Sequence, residues 1–247
     1  MNQSGRAESL YIIIPAYNEE ATIEKVLEDW YPVVSGHDGG GRSRLVVIDD
    51  GSRDRTAEIV RAFAAEHPLI LIKTKTNGGH GAAIRYGYQY ALDEGADWIF
   101  QTDSDGQTLA GEFEPFWQAR QDADLVIGWR HRRMDGAARI LVSRVLRLVV
   151  KLTFGVSLRD VNTPYRLMRS DSLAGLMPYV PDGFSLTNVL LSALFKKAGK
   201  RVVTLPITFR ARQGGVNSIN MRRITAIGLH AVREFRRISR EFDCRDS

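Results

Sequence analysis

Residues 97–107 read Asp-Trp-Ile-Phe-Gln-Thr-Asp-Ser-Asp-Gly-Gln. An apolar, β-prone run, Asp97–Thr102, gives way at once to carboxylates. Four similar runs lie in the first half of the chain: Leu10–Pro15, Arg44–Asp49, Leu69–Thr74 and Asp124–Gly128. Between them are stretches with helical periodicity, Glu20–Trp30, Thr56–His67, Gly81–Asp93 and Glu112–Gln121. This alternation predicts an α/β fold, a doubly wound, mostly parallel sheet with helices on both faces. The strand runs are nearly all apolar, as strands covered on both sides must be. Ligands of such sheets sit beyond the carboxyl ends of the strands, which directs attention to the residues that follow each run.

After Gly128 the pattern changes. A basic amphipathic stretch, Arg139–Phe154, precedes a loop around Arg159–Arg166 and a helix-like Leu186–Lys197. A strand-like Arg201–Phe209 and a basic helix near Arg222–Arg240 complete the chain, and the Gly-rich Ser35–Arg42 is expected to be a flexible loop.

The 247 residues suit one large domain, and the single cysteine, Cys244, excludes a disulfide framework and a cysteine-rich metal site. A reducing, cytoplasmic compartment is expected. No basic segment with an apolar core opens the chain, and no apolar run is long enough to span a bilayer. The net charge of +5 is unevenly spread: residues 1–128 hold 11 Lys+Arg against 21 Asp+Glu, and residues 129–247 hold 23 against 8. An acidic half suits a cation; a basic half suits phosphates or an anionic membrane surface.

The strand ends carry the chemistry. Pro15 ends the first ladder, so the chain is expected to turn there and present Tyr17, Asn18 and Glu19 to a base and ribose; a helix entry capped by Asn18 is the alternative. Asp49 and Asp50 follow the second run, where adjacent carboxylates repel and need donors. Gly78, Gly79 and Gly81 after the third allow close backbone approach at a helix N-terminus. Asp103 and Asp105, two apart on an extended chain, project to one side and can converge on a hard cation, Mg²⁺ or Mn²⁺, with Gln107 as a neutral third oxygen. Arg130, closest to the fifth strand end, suits a phosphate.

Together, Pro15-Ala16-Tyr17-Asn18-Glu19, Asp49-Asp50-Gly51-Ser52, Asn77-x-Gly79-x-Gly81, Asp103-Ser104-Asp105-Gly106-Gln107 and Gly128-x-Arg130 resemble glycosyltransferase family 2, inverting enzymes of GT-A type fold. The branch they most resemble is the dolichyl- or polyprenyl-phosphate sugar synthases. The resemblance implies a GT-A catalytic domain over 1–220, with a nucleotide-sugar and metal half over 8–133 and an acceptor half over 134–220, and a basic C-terminal helix and tail over 221–247. It implies a UDP- or GDP-sugar held by Pro15, Tyr17, Asn18, Glu19, Asp49, Asp50 and Gly79, with Asp103, Asp105 and Gln107 on the metal. Asp160 and Arg166 match a later motif from which Thr163-Pro164 departs, and Arg212 opens a loop in which Val216 and Asn217 replace the usual Ser and Lys. Arg130, Arg166 and Arg212 would then meet donor or acceptor phosphate. A phosphate acceptor needs no strong base; a hydroxyl acceptor would, with Asp160 the nominee, or else Asp160 simply pairs with an arginine.

A lipid-phosphate acceptor implies membrane access. Arg144, Arg147 and Lys151 share one face of the Arg139–Phe154 stretch, and Leu141, Val145, Leu148 and Leu152 another, as in an interfacial helix. The C-terminal stretch sets Arg222, Arg223, Arg233, Arg236, Arg237 and Arg240 beside Ile224, Ile227 and Phe235. A peripheral protein on the cytoplasmic membrane face is expected; a core helix with basic side chains reaching water is the alternative. Other readings are a glycan or small-molecule hydroxyl acceptor, a nucleotidyltransferase, and a non-catalytic nucleotide-binding protein. The nucleotidyltransferase would carry a Gly-rich loop after the first strand, where Ala16–Glu19 has no glycine. No nucleic-acid-binding motif occurs.

Overall fold

The computed structural model describes residues 6–130, 137–210 and 221–245, excepting the side chains of 137–142, 221–230 and 245. Seven strands form one sheet: β1 Leu10–Ala16, β2 Arg44–Asp49, β3 Ile70–Thr74, β4 Trp98–Gln101, β5 Leu125–Arg130, β6 Arg166–Arg169 and β7 Val202–Ile207. Their order is β3-β2-β1-β4-β6-β5-β7. Every neighbouring pair is parallel except those made by β6, which runs antiparallel to β4 and β5. The expected doubly wound α/β sheet is therefore present, with one reversed strand in its middle.

Period-two alternation assigns the strand side chains to two cores. On one face Leu10, Ile12, Ile14, Leu45, Val47, Trp98 and Phe100 meet α1 (Ile23–Gly36), α2 (Thr56–Glu66) and α4 (Phe113–Ala119). Trp30 anchors this layer, its ring 5.1 Å from Phe100, 5.8 Å from Tyr165 and 6.4 Å from Phe113. On the other face Tyr11, Ile13, Val46, Ile48 and Ile99 meet α3 (His80–Asp93) and α7 (Thr187–Lys197). That cluster continues into α5 (Ala137–Phe154), α6 (Ser170–Leu176) and α8 (Met221–Arg245).

Gly87 brings α3 onto the sheet: a Cβ there would press on Ile13 Cγ2 and lie 3.0 Å from Ile48 Cγ1. Both neighbours are fully buried, so neither has room to yield. Gly87→Ala is expected to destabilise the fold by about 1–3 kcal/mol through overpacking. A lower urea midpoint at unchanged slope would report it.

Several local expectations are corrected. β1 does not turn at Pro15 but runs on to Ala16, paired with Asp49 of β2. Thr102 N–H donates to Ile13 O, and Asp50 N–H donates to Ala16 O. Odd-numbered residues of β1 thus turn their backbone groups to β4, and the donor that Pro15 lacks would have met Thr102. Proline therefore stops the β1–β4 ladder, whose last pair is Ile13 with Gln101, and spares the β1–β2 ladder. The sheet opens between β1 and β4 immediately before Asp103. The loop expected around Arg159–Arg166 ends in the short β6, and α6 follows it directly. The stretch expected to be flexible folds tightly: α1 extends to Gly36, and Ser43 Oγ donates to His37 O at 2.5 Å.

α8 is a core helix on its described part. Ala231, Phe235, Ile238 and Phe242 are buried, Phe235 lies 5.5 Å from Phe154 of α5, and Ser239 Oγ donates to Thr153 O. The side chains of Arg222, Arg223, Ile224 and Ile227, and that of Leu141, lie outside the described residues.

Candidate active site

The carboxyl ends of β1, β2, β4 and β5 share one edge of the sheet. Because β6 runs backwards, the residues that precede it, including Asp160, join them there. The site is therefore built from 16–22, 49–56, 75–80, 102–107, 129–130 and 159–165.

Asp49 and Asp50, both buried, have donors from the chain itself. Asp49 Oδ1 accepts Ser52 N–H at 2.9 Å. Asp50 accepts Gly78 N–H at 2.9 Å and Gly79 N–H at 2.8 Å, and pairs with Lys75 Nζ at 2.5 Å. The carboxylate thus shapes the glycine loop, and Gly79 takes a φ of 84° as α3 begins. Lys75 was not singled out by its sequence context, although a cation just past β3, level with two adjacent carboxylates, is the available signal. Lys75→Met leaves a buried carboxylate with only two backbone donors. We expect a loss of about 1–3 kcal/mol in urea unfolding, with Lys75→Arg retaining most of the stability.

Asn18 takes a left-handed φ of 55°, its amide donating to Ser52 Oγ and its Oδ1 accepting Arg53 N–H. It bridges two loops and caps no helix; α1 begins only at Ile23. Tyr17 is left exposed beside it, 42% accessible. Glu19, nearly buried, is fixed by its amide on Thr56 Oγ1. Thr22 Oγ1 lies 3.1 Å from Glu19 Oε2 and 2.9 Å from Ser104 O, joining the β1 loop to the β4 loop. Thr22 is a further residue missed in the sequence.

β4 ends at Gln101, so Asp103 and Asp105 do not sit on an extended chain as expected. Instead the chain bends through 104–106, with Gly106 at a φ of 70° and Asp105 Oδ1 accepting Gln107 N–H at 3.1 Å. Asp103 Oδ1 is buried with no hydrogen-bond donor, and His80 Nε2 stands 3.7 Å from it. A buried carboxylate oxygen without a donor is costly and calls for a counter-charge. A divalent cation at Asp103 would answer that need. Among the described residues no group of three or more His, Cys, Asp or Glu is arranged to hold a metal. Two carboxylates with ligand oxygens and water match a Mg²⁺-type site, which rarely has a full protein cage. Gln107 donates its side-chain amide to Arg210 O at 2.8 Å, and Arg210 N–H returns a bond to Gln107 O. This ties the β4 loop to the segment that leads to Arg212, which itself lies outside the described residues.

Arg130 and Asp160 form a two-bond ion pair, Nε to Oδ2 at 2.8 Å and Nη2 to Oδ1 at 3.1 Å, with both side chains under 10% exposed. The pairing alternative for Asp160 is thus the one this structure displays. Beside the pair opens a cavity of about 170 Å³ lined by Trp129, Arg130, Arg144, Arg147, Arg159 and Asn162. Arg147 Nη1 reaches Arg159 O, and the Arg159 guanidinium lies over the Trp129 ring at 5.2 Å.

Arg166 is corrected from a phosphate contact to an interior residue. It is fully buried and donates to the carbonyls of Thr163 and Asn188. Burial pushes its pKa down, countered by the carboxylates of Asp160 and Asp103. It therefore acts as a fixed cation behind the site. Tyr88, whose hydroxyl burial holds in its protonated form, lies 2.6 Å from Gln101 Oε1 in the same layer.

The GT-A type sheet, with its acidic loop after β4 and Arg130 at the end of β5, is that of a glycosyltransferase, as the family match shows. The chain belongs to glycosyl transferase family 2, whose sequence profile matches residues 11–189. It is 30% identical to the undecaprenyl-phosphate mannosyltransferase of Micrococcus luteus, over 84% of this chain and 86% of that one. It is 32% identical to the undecaprenyl-phosphate 4-deoxy-4-formamido-L-arabinose transferase of Shewanella sediminis, over 68% of this chain and 50% of that one. Among solved structures, glucosyl-3-phosphoglycerate synthase of Mycobacterium tuberculosis with Mn²⁺, uridine diphosphate and phosphoglyceric acid superposes with a TM-score of 0.68. The two share 20% identity, over 96% of this chain and 80% of that one. At that identity the likeness is one of fold.

Proposed function

We propose that the protein transfers a sugar, with inversion, from a UDP- or GDP-sugar to a polyprenyl phosphate, using Mg²⁺ or Mn²⁺. The observation that carries this reading is the arginine-lined cavity against the Arg130–Asp160 pair, on the same sheet edge as the donor-free oxygen of Asp103. Anionic groups are wanted at both ends of the site: a diphosphate at the acidic β4 loop, through a cation, and a phosphate among the arginines. The two sequence relatives named above are undecaprenyl-phosphate transferases.

The base and ribose would rest on Pro15, Tyr17, Asn18 and Glu19, over the loops that Asp49, Asp50 and Gly79 shape. Asp103 and Asp105 would hold the metal, with the side-chain oxygen of Gln107 as the third ligand while its amide closes the loop that carries them. When bound, the ion supplies charge neutralisation at the departing diphosphate. Arg130 would orient the acceptor phosphate. A phosphate monoester is already a nucleophile near neutral pH, so no residue has to remove a proton, and Asp160 serves by fixing Arg130. Its two-bond tie to Arg130 favours this acceptor over a hydroxyl.

No helix among the described residues is long and apolar enough to cross a membrane. A protein that meets a lipid phosphate would then work from the surface, which we place on the cytoplasmic face, where nucleotide sugars are found. The experiment is a donor panel of UDP- and GDP-sugars with Mg²⁺ or Mn²⁺, read as nucleoside diphosphate release with and without a short polyprenyl phosphate. Release stimulated by the acceptor and abolished by chelation is expected. Metal-independent release, or release that only a hydroxyl acceptor stimulates, contradicts the reading.

A further inference from the structure

Of the histidines whose side chains are described, His80 alone stands at the edge of the sheet that carries the site. His37 and His67 are engaged elsewhere: the Nδ1 of each meets a carbonyl one turn back, Val33 O at 2.9 Å and Phe63 O at 2.8 Å. The His80 side chain is 54% exposed and makes no hydrogen bond among the described residues. Its Nε2 stands 3.7 Å from Asp103 Oδ1, the buried oxygen without a donor. That gap is too wide for an N–H···O bond. It is close to the spacing of two ligands on one ion: with bonds of about 2.1 Å they lie about 3.0 Å apart at a right angle and about 3.6 Å apart at 120°.

The chain holds His80 from both sides. Gly79 N–H donates to Asp50 Oδ2 at 2.8 Å, and Gly79 turns into α3 at a φ of 84°. At Gly81 a Cβ would overlap Phe184 O, so glycine alone lets the first turn of α3 lie this close to the loop before α7. Thr187 Oγ1 ties the two together through Gly81 O at 3.2 Å. The imidazole is thus carried on a fixed backbone and keeps a mobile side chain, which needs to close only about 0.7 Å to share an ion at a right angle.

We infer that His80 gives the ion on Asp103 a nitrogen ligand, and that this makes the site prefer Mn²⁺ to Mg²⁺. The inference rests on the metal-dependent reading above and deepens it, since that reading leaves the two ions equal. Mg²⁺ takes oxygen ligands almost exclusively, whereas an imidazole suits the first-row transition ions. Among the described residues no third His, Cys, Asp or Glu is set with this pair as the chain stands. Asp105, two residues on in the same bend, would be drawn in with the diphosphate and water oxygens. A plain ion pair between His80 and Asp103 would leave Oδ1 without a hydrogen bond, as it is now, and gives no reason to hold the imidazole at that distance.

The test uses the full chain with UDP or GDP, whichever tightens Mn²⁺. Affinities for Mn²⁺ and Mg²⁺ are measured by calorimetry on the wild type and on His80→Gln, which offers an oxygen at similar reach. Bound Mn²⁺ is examined by electron spin echo for modulation from a directly bonded nitrogen. The wild type should show that signal and His80→Gln should lose it. The substitution should weaken Mn²⁺ at least ~10-fold and Mg²⁺ by less than ~3-fold. The urea midpoint should not move, because the side chain is more than half exposed. Unchanged Mn²⁺ affinity, an equal loss for the two ions, or a nitrogen signal that survives His80→Gln would each overturn the assignment. Nucleotide-linked Mn²⁺ with no bonded nitrogen in the wild type would overturn it too, and leave the proposed function standing. No nucleotide-linked Mn²⁺ at all would strike both.

Discussion

Replacing Asp105 by Asn is expected to lower turnover at least ~100-fold in a folded protein, the scale of losing one charged contact to the leaving group. Asn keeps the size of the side chain and can still accept the Gln107 amide bond that shapes the 104–106 bend. What it removes is negative charge at the point where a cation would bridge protein and diphosphate. The loss should therefore appear in kcat and in the metal concentration needed for half-maximal rate, with little change in unfolding. Asp103→Asn should behave alike, with one difference. Its Oδ1 is buried without a donor, so removing the charge should leave stability unchanged or raised while turnover falls. Opposite signs for stability and activity at one residue mark a group held in strain for function.

The second large effect is at Arg130. Arg130→Ala leaves the Asp160 carboxylate, 7% exposed, with the Asn162 amide as its remaining hydrogen-bond donor among the described residues. Stripping one partner from a buried pair costs about 3–5 kcal/mol. Against a total of about 5–15 kcal/mol that is a large fraction, visible as a much lower urea midpoint. Arg130→Ala/Asp160→Ala removes the stranded charge as well and should recover most of the stability. Turnover with the phosphate acceptor should not recover, because the guanidinium proposed to orient it is still missing. A double variant that regains both would make the pair purely structural.

The sheet was legible because β1, β2, β3, β4 and β5 are continuous apolar runs of ordinary length with helices of ordinary period between them. β6 was not, because Arg166-Leu-Met-Arg169 is four residues long and begins with a buried arginine. A charged residue at 0% exposure breaks the pattern that a strand is read from, and only the tertiary carbonyls of Thr163 and Asn188 make it tolerable. The same residue misled the reading of the site, since an arginine in a motif suggests a ligand and nothing local reveals its burial. Asp103 and Asp105 stand at the sheet edge, as their place after a strand implies, but on a bend and not on an extended chain. Lys75 and Thr22 act across loops, on Asp50 and Ser104, and such pairings have no local pattern to betray them. The Arg130–Asp160 pair spans thirty positions in the chain and was foreseen only as an alternative. The arginine cavity needed α5, β5 and the 159–162 loop to be assembled before it existed.

Whether Asp103 and Asp105 hold a divalent ion against a nucleoside diphosphate can be read by titrating Mn²⁺ into the protein by calorimetry. The titration is run with and without UDP or GDP, for the wild type and for Asp103→Asn and Asp105→Asn. The expected result is a single site that tightens when one of the two nucleotides is present and weakens at least ~10-fold in both variants. Mn²⁺ binding that is indifferent to nucleotide and unchanged by either substitution would contradict it.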